Sequence, residues 1–408
     1  MKFLIAMAFA TGIAQAATLP PLAVPFPATM LGALIEQDPA IASARATLNA
    51  VREDAQLVKS SPYEWTVKAI SQRRSIDSGA SGKEWNAGLE RSFRLPAKAN
   101  ADHQVSEAMA DEGLAQYQQA WRDTSRELVN LWLAWLAAEQ GLTLATGNFS
   151  SAEESLAVVE KRVRSGDASK LDASLARAER AEQEGVANEA KTSAAVARAR
   201  INARFPSLPE VRTALPTPMP LEQDDVSLAE RLRNTSAVMK VADSQQRRAK
   251  AQAARLHADR FPDPTVGVFS ASEGSGRERI IGVSLSIPIP GTLRDGRAVS
   301  AAFSAEMARH ESELKKRALD GDIAVAIASV KGAYESWKIA QGGAAAMQEN
   351  ARLLQRAYIL GEADIQSMLT ARRQATAAAQ NSLATQHAAV RAYYSLMIDA
   401  GVLLSPEK

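Results

Sequence analysis

The sequence predicts a mainly α-helical fold with a small β part, in which long antiparallel coiled-coil hairpins form an internally repeated chain. Three observations support this prediction: an apolar residue at every seventh position of a long segment, two pairs of alternating strand-like segments, and two similar halves. Of the 408 residues, 46% are hydrophobic but only 5% are aromatic. Such a composition is typical of long helices that pack through small side chains.

The first sixteen residues have the pattern of a secretory signal peptide. A short basic start precedes the apolar run over residues 3–10, and residues 14–16 read Ala-Gln-Ala, the small residues of a cleavage site. This pattern favours a signal peptide over the alternative, a buried N-terminal helix. No later run of about twenty apolar residues follows, so we expect an exported chain without a transmembrane helix.

The two halves of the chain resemble each other at a fixed spacing. Gly166 ends one helical run and Gly361 ends another, 361 − 166 = 195 positions later. Prolines between the halves rule out a continuous helix there. We interpret the pattern as a tandem duplication in which each repeat holds a helix, two strands and a long hairpin. The expected organisation starts with a signal peptide at 1–16. A first repeat follows at 17–205, with strands at about 63–73 and 84–95 and a hairpin turning at 166. After a proline-rich connector at 206–225, a second repeat at 226–404 has strands at about 264–273 and 278–289 and a hairpin turning at 361.

Each half carries two segments whose side chains alternate between apolar and polar. Trp85, Leu89 and Phe93 share one face of a strand in the first half, and the segment over 278–289 repeats the pattern with isoleucine, valine and leucine. Strands of about ten residues with one apolar face match transmembrane β-strands. Soluble hairpins packed on the helices explain these segments equally well. Arg91 is an exception to the pattern, because it falls on the apolar face. Either a bulge in the strand or a position at the membrane boundary would accommodate it.

If the strands cross a membrane, several chains must share one barrel. Four strands cannot close a barrel, and an open sheet edge in lipid leaves backbone groups unsatisfied. The smallest bacterial outer-membrane barrels have about eight strands, so at least two chains have to combine. The membrane interpretation therefore predicts an oligomer.

One helix is predicted to run from about residue 97 to residue 164. Its strict seven-residue period indicates a left-handed supercoil, with a weak point at Gly147. A second long helix shows the same period less strictly over residues 323–337. Each long helix ends at a glycine, which suits the left-handed conformation of a helix C-terminus. Two such hairpins cannot bury their seams alone, so we expect them to pack on each other and on neighbouring subunits. In the first long helix, the apolar residues that recur at every seventh position, called the seven-residue series, are Leu114, Trp121, Leu128, Trp135, Leu142, Phe149, Leu156 and Val163.

The sequence offers no recognisable catalytic or cofactor site. Its 48 Lys and Arg residues balance 46 Asp and Glu residues, which leaves no electrostatic footprint for nucleic acid. The chain has no cysteine, which excludes a disulfide framework, a thiolate metal site and a lipidated N-terminal cysteine. The four histidines lie far apart, without the spacing of a metal site. We therefore expect a protein that is not an enzyme and needs no metal or cofactor.

The organisation as a whole resembles the TolC-like outer-membrane efflux channel family, also called outer membrane factors, from Leu31 to about Leu404. Within that family the chain is most similar to the heavy-metal efflux branch. The residues that carry the resemblance are Asp38-Pro39, Leu95-Pro96-Ala97, Ile289-Pro290-Gly291, Val163-Arg164-Ser165-Gly166, Tyr358-Ile359-Leu360-Gly361 and Leu369-x-Ala371.

The resemblance implies a homotrimer with a transmembrane β-barrel of twelve strands, four per chain, above a long trimeric α-barrel in the periplasm. It implies a tip that narrows at the Gly166 and Gly361 turns, where the family gates and meets its adaptor. Tyr358 matches a family tyrosine that tethers the closed tip, and Asp172 matches an acidic tip residue. The chain also departs from the family: two acidic ring positions fall on Ser367 and Thr370, the tethering arginine falls on Ala363, and the negative charge nearby comes from Asp167, Glu362 and Asp364.

The resemblance further implies the outer-membrane exit channel of a tripartite efflux system that passes metal ions or drugs from the periplasm to the outside. Its expected partners are two further copies, a periplasmic adaptor, an inner-membrane transporter and outer-membrane lipid. Two alternatives stay open: the outer-membrane duct of a type I protein secretion system, and a soluble periplasmic coiled-coil adaptor or structural protein. The second alternative leaves the alternating segments unexplained.

Overall fold

The computed structural model of the protein describes residues 28–75, 77, 79, 81–209 and 214–404. The signal peptide predicted at residues 1–16 lies outside them. The described chain is mostly helical with one small antiparallel sheet, which confirms the predicted fold class at this level. In chain order the elements are α1 (Ala28–Glu36), α2 (Pro39–Lys59), β1 (Thr66–Arg74), β2 (Gly82–Ser92), α3 (Pro96–Ser165), α4 (Lys170–Arg204), α5 (Asp225–Thr235), α6 (Ala237–Ala258), β3 (Thr265–Glu273), β4 (Glu278–Ser286), α7 (Thr292–Leu360) and α8 (Ile365–Asp399).

Helices α3 and α7 set the length of the molecule. α3 has 70 residues and α7 has 69, so each is about 105 Å long at a rise of 1.5 Å per residue. Gly147 in α3 and Gly342 in α7 are helical, so neither glycine interrupts its helix. α3 packs along α4, and α7 along α8, which gives two long hairpins. None of the described helices is long and apolar enough to cross a membrane.

The main hydrophobic core lies part-way along the helices. Trp121, Leu128 and Trp135 of the seven-residue series in α3 are buried in it, together with side chains from α1, α5, α7 and α8. Leu215 of the proline-rich connector is also part of this core, so the connector packs against the helices. Leu114 of the same series is 40% exposed. Beyond the core, one chain covers its coiled-coil seam only in part.

The sheet has the strand order β1-β2-β3-β4, and every neighbouring pair is antiparallel. The pairing of β2 with β3, where Ser92 lies opposite Thr265, joins a strand from each half of the chain. All four strands begin and end within three residues of the predicted segments. Two prolines limit them, since Pro264 precedes β3 and Pro288 follows β4, and a proline has no N–H for the ladder. Within the described residues, the outer edges of β1 and β4 have no partner strand.

A buried ionic cluster joins the ends of the strands to the helices. Lys98, in the first turn of α3, is 1% exposed, and its Nζ lies 2.9 Å from Asp259 and 3.1 Å from Asp263. The Tyr63 hydroxyl donates to Asp263 at 2.5 Å. A lysine this buried is tolerated only when it is paired. The cluster therefore defines one specific geometry between the start of α3 and the segment that leads into β3.

Candidate functional site

The residues predicted for the tip lie where the two helical hairpins turn. Gly166 and Gly361 follow α3 and α7 with φ angles of 88° and 81°, in the left-handed region that glycine adopts without strain. At each turn the next residue closes the helix end, because the N–H of Asp167 and that of Glu362 each donate to the carbonyl five residues back at 2.8 Å. This hydrogen bond is that of the Schellman motif. Both helices therefore stop at a defined residue.

Asp172 and Asp364 cap the two return helices. Asp172 accepts from the N–H of Ser169 at 2.9 Å, while the Ser169 hydroxyl accepts from the N–H of Asp172 at 3.1 Å. Asp364 accepts from both the N–H and the hydroxyl of Ser367, each at 2.8 Å. These hydrogen bonds hold the pKa of Asp364 below its usual value, because they favour the ionised form. Each aspartate thus stabilises the first turn of its helix.

Tyr358 lies in a small hydrophobic cluster that joins both hairpins near the tip. It is 7% exposed, and the cluster contains Val159 of α3 and Met368 of α8. Its hydroxyl oxygen is buried without a hydrogen-bond partner among the described residues. Burial raises the pKa of this hydroxyl, and the nearby Arg162 guanidinium acts in the opposite direction. A buried polar group without a partner costs free energy, so the packing around this ring is not fully satisfied.

Arg162 is a tip residue that the sequence analysis did not single out. Its Nη1 donates to the carbonyl of Tyr358 at 3.0 Å, and its guanidinium carbon lies 4.9 Å from the centre of the Tyr358 ring. A side chain of the first hairpin thus holds the C-terminal end of α7 in the second hairpin. Arginines are common in the last turn of a helix, so its position in the sequence gives no signal for this contact. Only the packing of the two hairpins creates it.

The surface of the tip combines negative charge with exposed aliphatic side chains. The exposed acidic residues are Asp167, Glu362 and Asp364. Ser367 and Thr370 are exposed and uncharged. Leu171, Ile359 and Leu360 have 66%, 62% and 64% of their surface exposed. Several large aliphatic side chains left uncovered at one end of a molecule are typical of a contact surface.

The two faces of the sheet differ in chemistry. The register brings apolar side chains of all four strands to one side, called the apolar face: Val67, Ala69, Trp85, Ala87, Leu89, Val266, Val268, Ile281, Val283 and Leu285. The other side, called the polar face, carries mainly charged, hydroxyl and amide side chains. None of the described helices covers the apolar face, since Val67 is 76% exposed, Val283 74% and Ile281 88%. The sheet therefore does not use its apolar face to pack on its own helices.

Phe269 stands on the polar face and fills the space left by glycines of the neighbouring strands. A Cβ atom added to Gly282 of β4 would lie 2.6 Å from Cζ of Phe269, and one added to Gly88 of β2 would lie 3.3 Å from its Cβ. An aromatic ring that lies over a strand glycine protects the backbone and fixes the register. The middle of the polar face is thus closely packed.

Arg91 lies at the end of the apolar face nearest the helices. It pairs with Val266 in a ladder that continues without a bulge. A bulge therefore does not explain why this arginine lies on the apolar face. Its Nε donates to the carbonyl of Tyr63 at 3.2 Å, and its guanidinium carbon lies 5.5 Å from the centre of the Trp65 ring. Aromatic residues of this kind form girdles at the two edges of a membrane-facing band.

Comparison with known proteins gives two kinds of match. Residues 30–203 match the family model described as outer membrane efflux protein. Among solved structures, the chain is similar to CusC, described as forming a transmembrane channel, with 17% identity, a TM-score of 0.76 and 91% of each chain covered. It is also similar to the CmeC outer membrane channel of Campylobacter jejuni, with 13% identity, a TM-score of 0.74 and coverage of 93% of this chain and 86% of that one. The outer-membrane channel OprN matches with 18% identity, a TM-score of 0.73 and coverage of 93% and 91%. The search of curated proteins finds no match.

Residues 30–203 thus match an outer membrane efflux family, and the described chain shares its fold with solved outer-membrane channels. The predicted resemblance to the TolC-like outer-membrane efflux channel family is confirmed. In the described part of the chain, no cluster of three or more histidine, aspartate or glutamate side chains is arranged to hold a metal ion.

Proposed function

We propose that the protein is the outer-membrane exit channel of a tripartite efflux system and works as a homotrimer. The observation that carries the proposal is the sheet, which has an uncovered apolar face and two unpaired edges. Both the uncovered apolar face and the unpaired edges are unfavourable in water. Exposed edges tend to pair with other chains, and large exposed apolar patches mark contact or membrane surfaces. Lipid covers the apolar face, and pairing of β1 with β4 of a neighbour satisfies the edges. Three chains then give one barrel of twelve strands.

The same observation counts against a soluble periplasmic adaptor or structural protein. In such a protein the apolar face would pack on helices, yet Ile281 is 88% exposed. Arg91 and Trp65 then sit at the periplasmic boundary of the membrane, where charged residues on the lipid side are tolerated. The proposed trimer places the polar faces of the three sheets around an aqueous lumen.

We propose that the tip formed by Gly166, Asp172, Tyr358, Gly361 and Asp364 docks a periplasmic adaptor and gates the channel. The exposed Leu171, Ile359 and Leu360 supply an apolar contact surface beside the turns. The two hairpins are joined at this end by a small cluster and by Arg162, so a modest rearrangement would separate them. The protein itself performs no chemistry, and energy comes from an inner-membrane transporter.

The proposed substrates are metal ions or drugs, in keeping with the similarity to the heavy-metal branch. We also propose that the chain arose by tandem duplication with repeats at 17–205 and 226–404. The order of helices and strands before and after the proline-rich connector supports this, as do the helix caps at Ser169 and Asp364, which lie 364 − 169 = 195 positions apart.

Fractionation tests the architecture. We expect the native protein in the outer-membrane fraction and, after mild detergent extraction, as a trimer by native mass spectrometry. Recovery as a soluble periplasmic monomer would overturn the proposal.

A deletion strain tests the transported substrate. We expect it to become sensitive to metal salts or to drugs, and complementation with the native chain to restore resistance. If the strain keeps full resistance to both but fails to export a polypeptide, the type I secretion duct replaces the efflux channel.

Variants of the turn test the tip. Gly166→Val or Gly361→Val should impair adaptor crosslinking or efflux, because a β-branched residue does not tolerate a positive φ. Normal efflux and normal crosslinking in both variants would contradict the role of the tip.

A further inference from the structure

At the loop end of the sheet, charged side chains are sorted by face. Arg73 of β1, Lys83 of β2 and Arg279 of β4 belong to the apolar face, because they alternate in phase with its apolar residues. All three are exposed, and we call them the basic rim. The residues next to them in the chain, which point to the polar face, include the acidic residues Glu84 and Glu278. At this end the apolar face therefore carries only positive charge, whereas the polar face carries acidic residues together with Arg74.

The charges on the polar face are compensated within the chain. Arg74 lies 2.9 Å from Glu84 and 3.5 Å from Glu273, and the Gln72 amide donates to Glu84 at 2.9 Å. Glu84 is only 3% exposed. This end of the polar face is therefore held by its own ion pairs.

The basic rim has no such compensation. In the part of the chain that the structure describes, none of its three residues has a carboxylate within ion-pair distance, and Arg73 donates only to the hydroxyl of Ser81, at 2.8 and 3.3 Å. Arg73 and Lys83 lie directly opposite each other in the register. Like charges at such a cross-strand position repel each other. A bound anion would remove this repulsion.

The rim also continues the surface that faces lipid. Trp85 and Ile281 follow Lys83 and Arg279 by two positions on the same face, so the cations border the apolar band. Along β2, Lys83 and Arg91 are eight residues apart, about 27 Å at 3.4 Å per residue, and between them the apolar face carries only Trp85, Ala87 and Leu89. At a strand tilt of about 35–45°, this length projects to about 19–22 Å along the membrane normal, so the two charged positions lie near the edges of a membrane-facing band about 25 Å tall.

The geometry points to a binding site for the phosphate groups of lipopolysaccharide in the outer leaflet, formed by Arg73, Lys83 and Arg279. This inference rests on the proposed membrane barrel. The helices lie at the opposite end of the sheet, in the periplasm, so the rim lies at headgroup depth on the outside. Arginine binds phosphate through paired N–H groups and lysine acts as a point charge. Apolar contact with Trp85 and Ile281 would hold the acyl chains beside the same site.

The test compares lipid binding by the full-length protein and by variants. We use native mass spectrometry of the detergent-purified trimer titrated with diphosphorylated lipid A, and with phosphatidylcholine as a lipid without net charge. The rim variant is Arg73→Gln/Lys83→Gln/Arg279→Gln. The matched control, Lys316→Gln/Arg317→Gln/Lys338→Gln, removes the same charge from exposed positions on α7.

We expect the rim variant to bind lipid A roughly 100-fold more weakly, since each basic residue near an anionic headgroup contributes about a factor of five. The control variant should bind lipid A like the native protein, and binding by the native protein should weaken as the salt concentration rises. The charge-conserving variant Arg73→Lys/Arg279→Lys should retain most of the native binding. Unchanged lipid A binding in the rim variant, or an equal loss in the control, would overturn the inference.

The two proposals fail separately. If the native chain forms no trimer in the outer membrane, the proposed channel fails and the rim loses its basis. If the rim variant assembles and supports efflux but binds lipid A as the native protein does, only the lipid site is wrong.

Discussion

Arg162 connects the two hairpins at the end of α7 through its contact with Tyr358. Arg162 is half-buried, and it combines a charge-assisted hydrogen bond to a carbonyl with a cation–π contact. Together such contacts stabilise a structure by about 1–2 kcal/mol at partly exposed positions. The neighbouring Arg164 is exposed and makes neither contact among the described residues, which provides a matched control.

Arg162→Gln should loosen the tip without unfolding the helices. We expect amide hydrogen exchange at residues 357–362 to accelerate roughly 5- to 30-fold, because 1–2 kcal/mol corresponds to that ratio. Arg164→Gln should leave the exchange rates unchanged. Equal exchange in the native protein and in Arg162→Gln would show that the hydrophobic cluster alone holds the tip.

Asp263 makes the junction of strands and helices sensitive to pH. Burial acts to raise its pKa, but hydrogen bonds from Tyr63, from the N–H of Leu95 and from Lys98 outweigh burial and hold the pKa below its usual value. A carboxylate of this kind contributes stability above its unfolded pKa, and the contribution is lost as the pH falls through the folded value. The pKa of Tyr63 is raised to about 12, first by burial and then by its hydrogen bond to Asp263. Its contribution is complete below about pH 10 and is lost as the pH rises towards 12.

Asp263→Asn should therefore lower the free energy of unfolding at pH 7 by about 2–3 kcal/mol, because it weakens the pairing of the buried Lys98. The variant should also lose less stability than the native protein between pH 4 and pH 2. Chemical unfolding in detergent, followed by circular dichroism across pH, measures both effects. Asp295→Asn, which breaks an exposed pair with Arg260, should change the stability by less than about 1 kcal/mol. Equal effects of the two variants would contradict the importance of burial.

At the scale of elements, the two kinds of glycine in the long helices should respond oppositely to substitution. Among the described residues, an added Cβ meets nothing within 4 Å at Gly147 or at Gly166, so only the backbone conformation distinguishes the two positions. Gly147 is helical, and Gly166 has φ of 88°. Alanine stabilises a helical position by about 1 kcal/mol and strains a left-handed one by about 1–2 kcal/mol.

We expect Gly147→Ala to raise the thermal midpoint of the purified protein and Gly166→Ala to lower it. A scan of both variants in the same detergent gives the comparison directly. A lower midpoint for Gly147→Ala would show that a neighbouring subunit approaches the helix at that position.

The sheet depends on the fit between Phe269 and Gly282. Gly282→Ala would bring a methyl group to 2.6 Å from the Phe269 ring, so we expect a loss of about 1–3 kcal/mol from overpacking. The double variant Phe269→Ala/Gly282→Ala should recover part of the loss, because the ring that clashes is gone. Heat resistance of the folded β part on denaturing gels reports the outcome. No recovery in the double variant would mean that the ring matters for another reason.

Local patterns were enough to predict a mostly helical fold with a small antiparallel sheet. The alternation around Trp85 and Ile281, the prolines at the strand ends and the glycines at 166 and 361 each act within a few residues of the chain. The missed features depend on residues distant in sequence: Arg162 on Tyr358, Lys98 on Asp259 and Asp263, and Phe269 on Gly88. Such contacts follow from packing, and a single sequence carries no periodic trace of them.

At the scale of the whole molecule, α7 carries an apolar stripe that one chain leaves uncovered. Phe303, Leu314 and Val325 follow each other at intervals of eleven residues and are 73%, 69% and 66% exposed. Eleven residues are close to three full turns, so these side chains share one face of the helix. An exposed stripe of this length on a helix about 105 Å long is best explained by a neighbouring copy in the proposed trimer.

Phe303→Asp/Leu314→Asp should prevent stable trimer formation. A buried unpaired carboxylate is strongly unfavourable, so we expect mainly monomer by native mass spectrometry after detergent extraction. Lys316→Asp, whose side chain lies about 200° around the helix from Leu314, should assemble normally. Normal assembly of the double variant would locate the subunit contact elsewhere.

The unpaired edges of β1 and β4 also have a genetic consequence. If each chain completes its sheet only through its neighbours, an assembly with one defective member is defective as a whole. In a cell that makes native and assembly-competent but blocked chains in equal amounts, only about one trimer in eight would contain native chains alone. Mutations that block the passage should therefore be dominant, and those that abolish folding should be recessive.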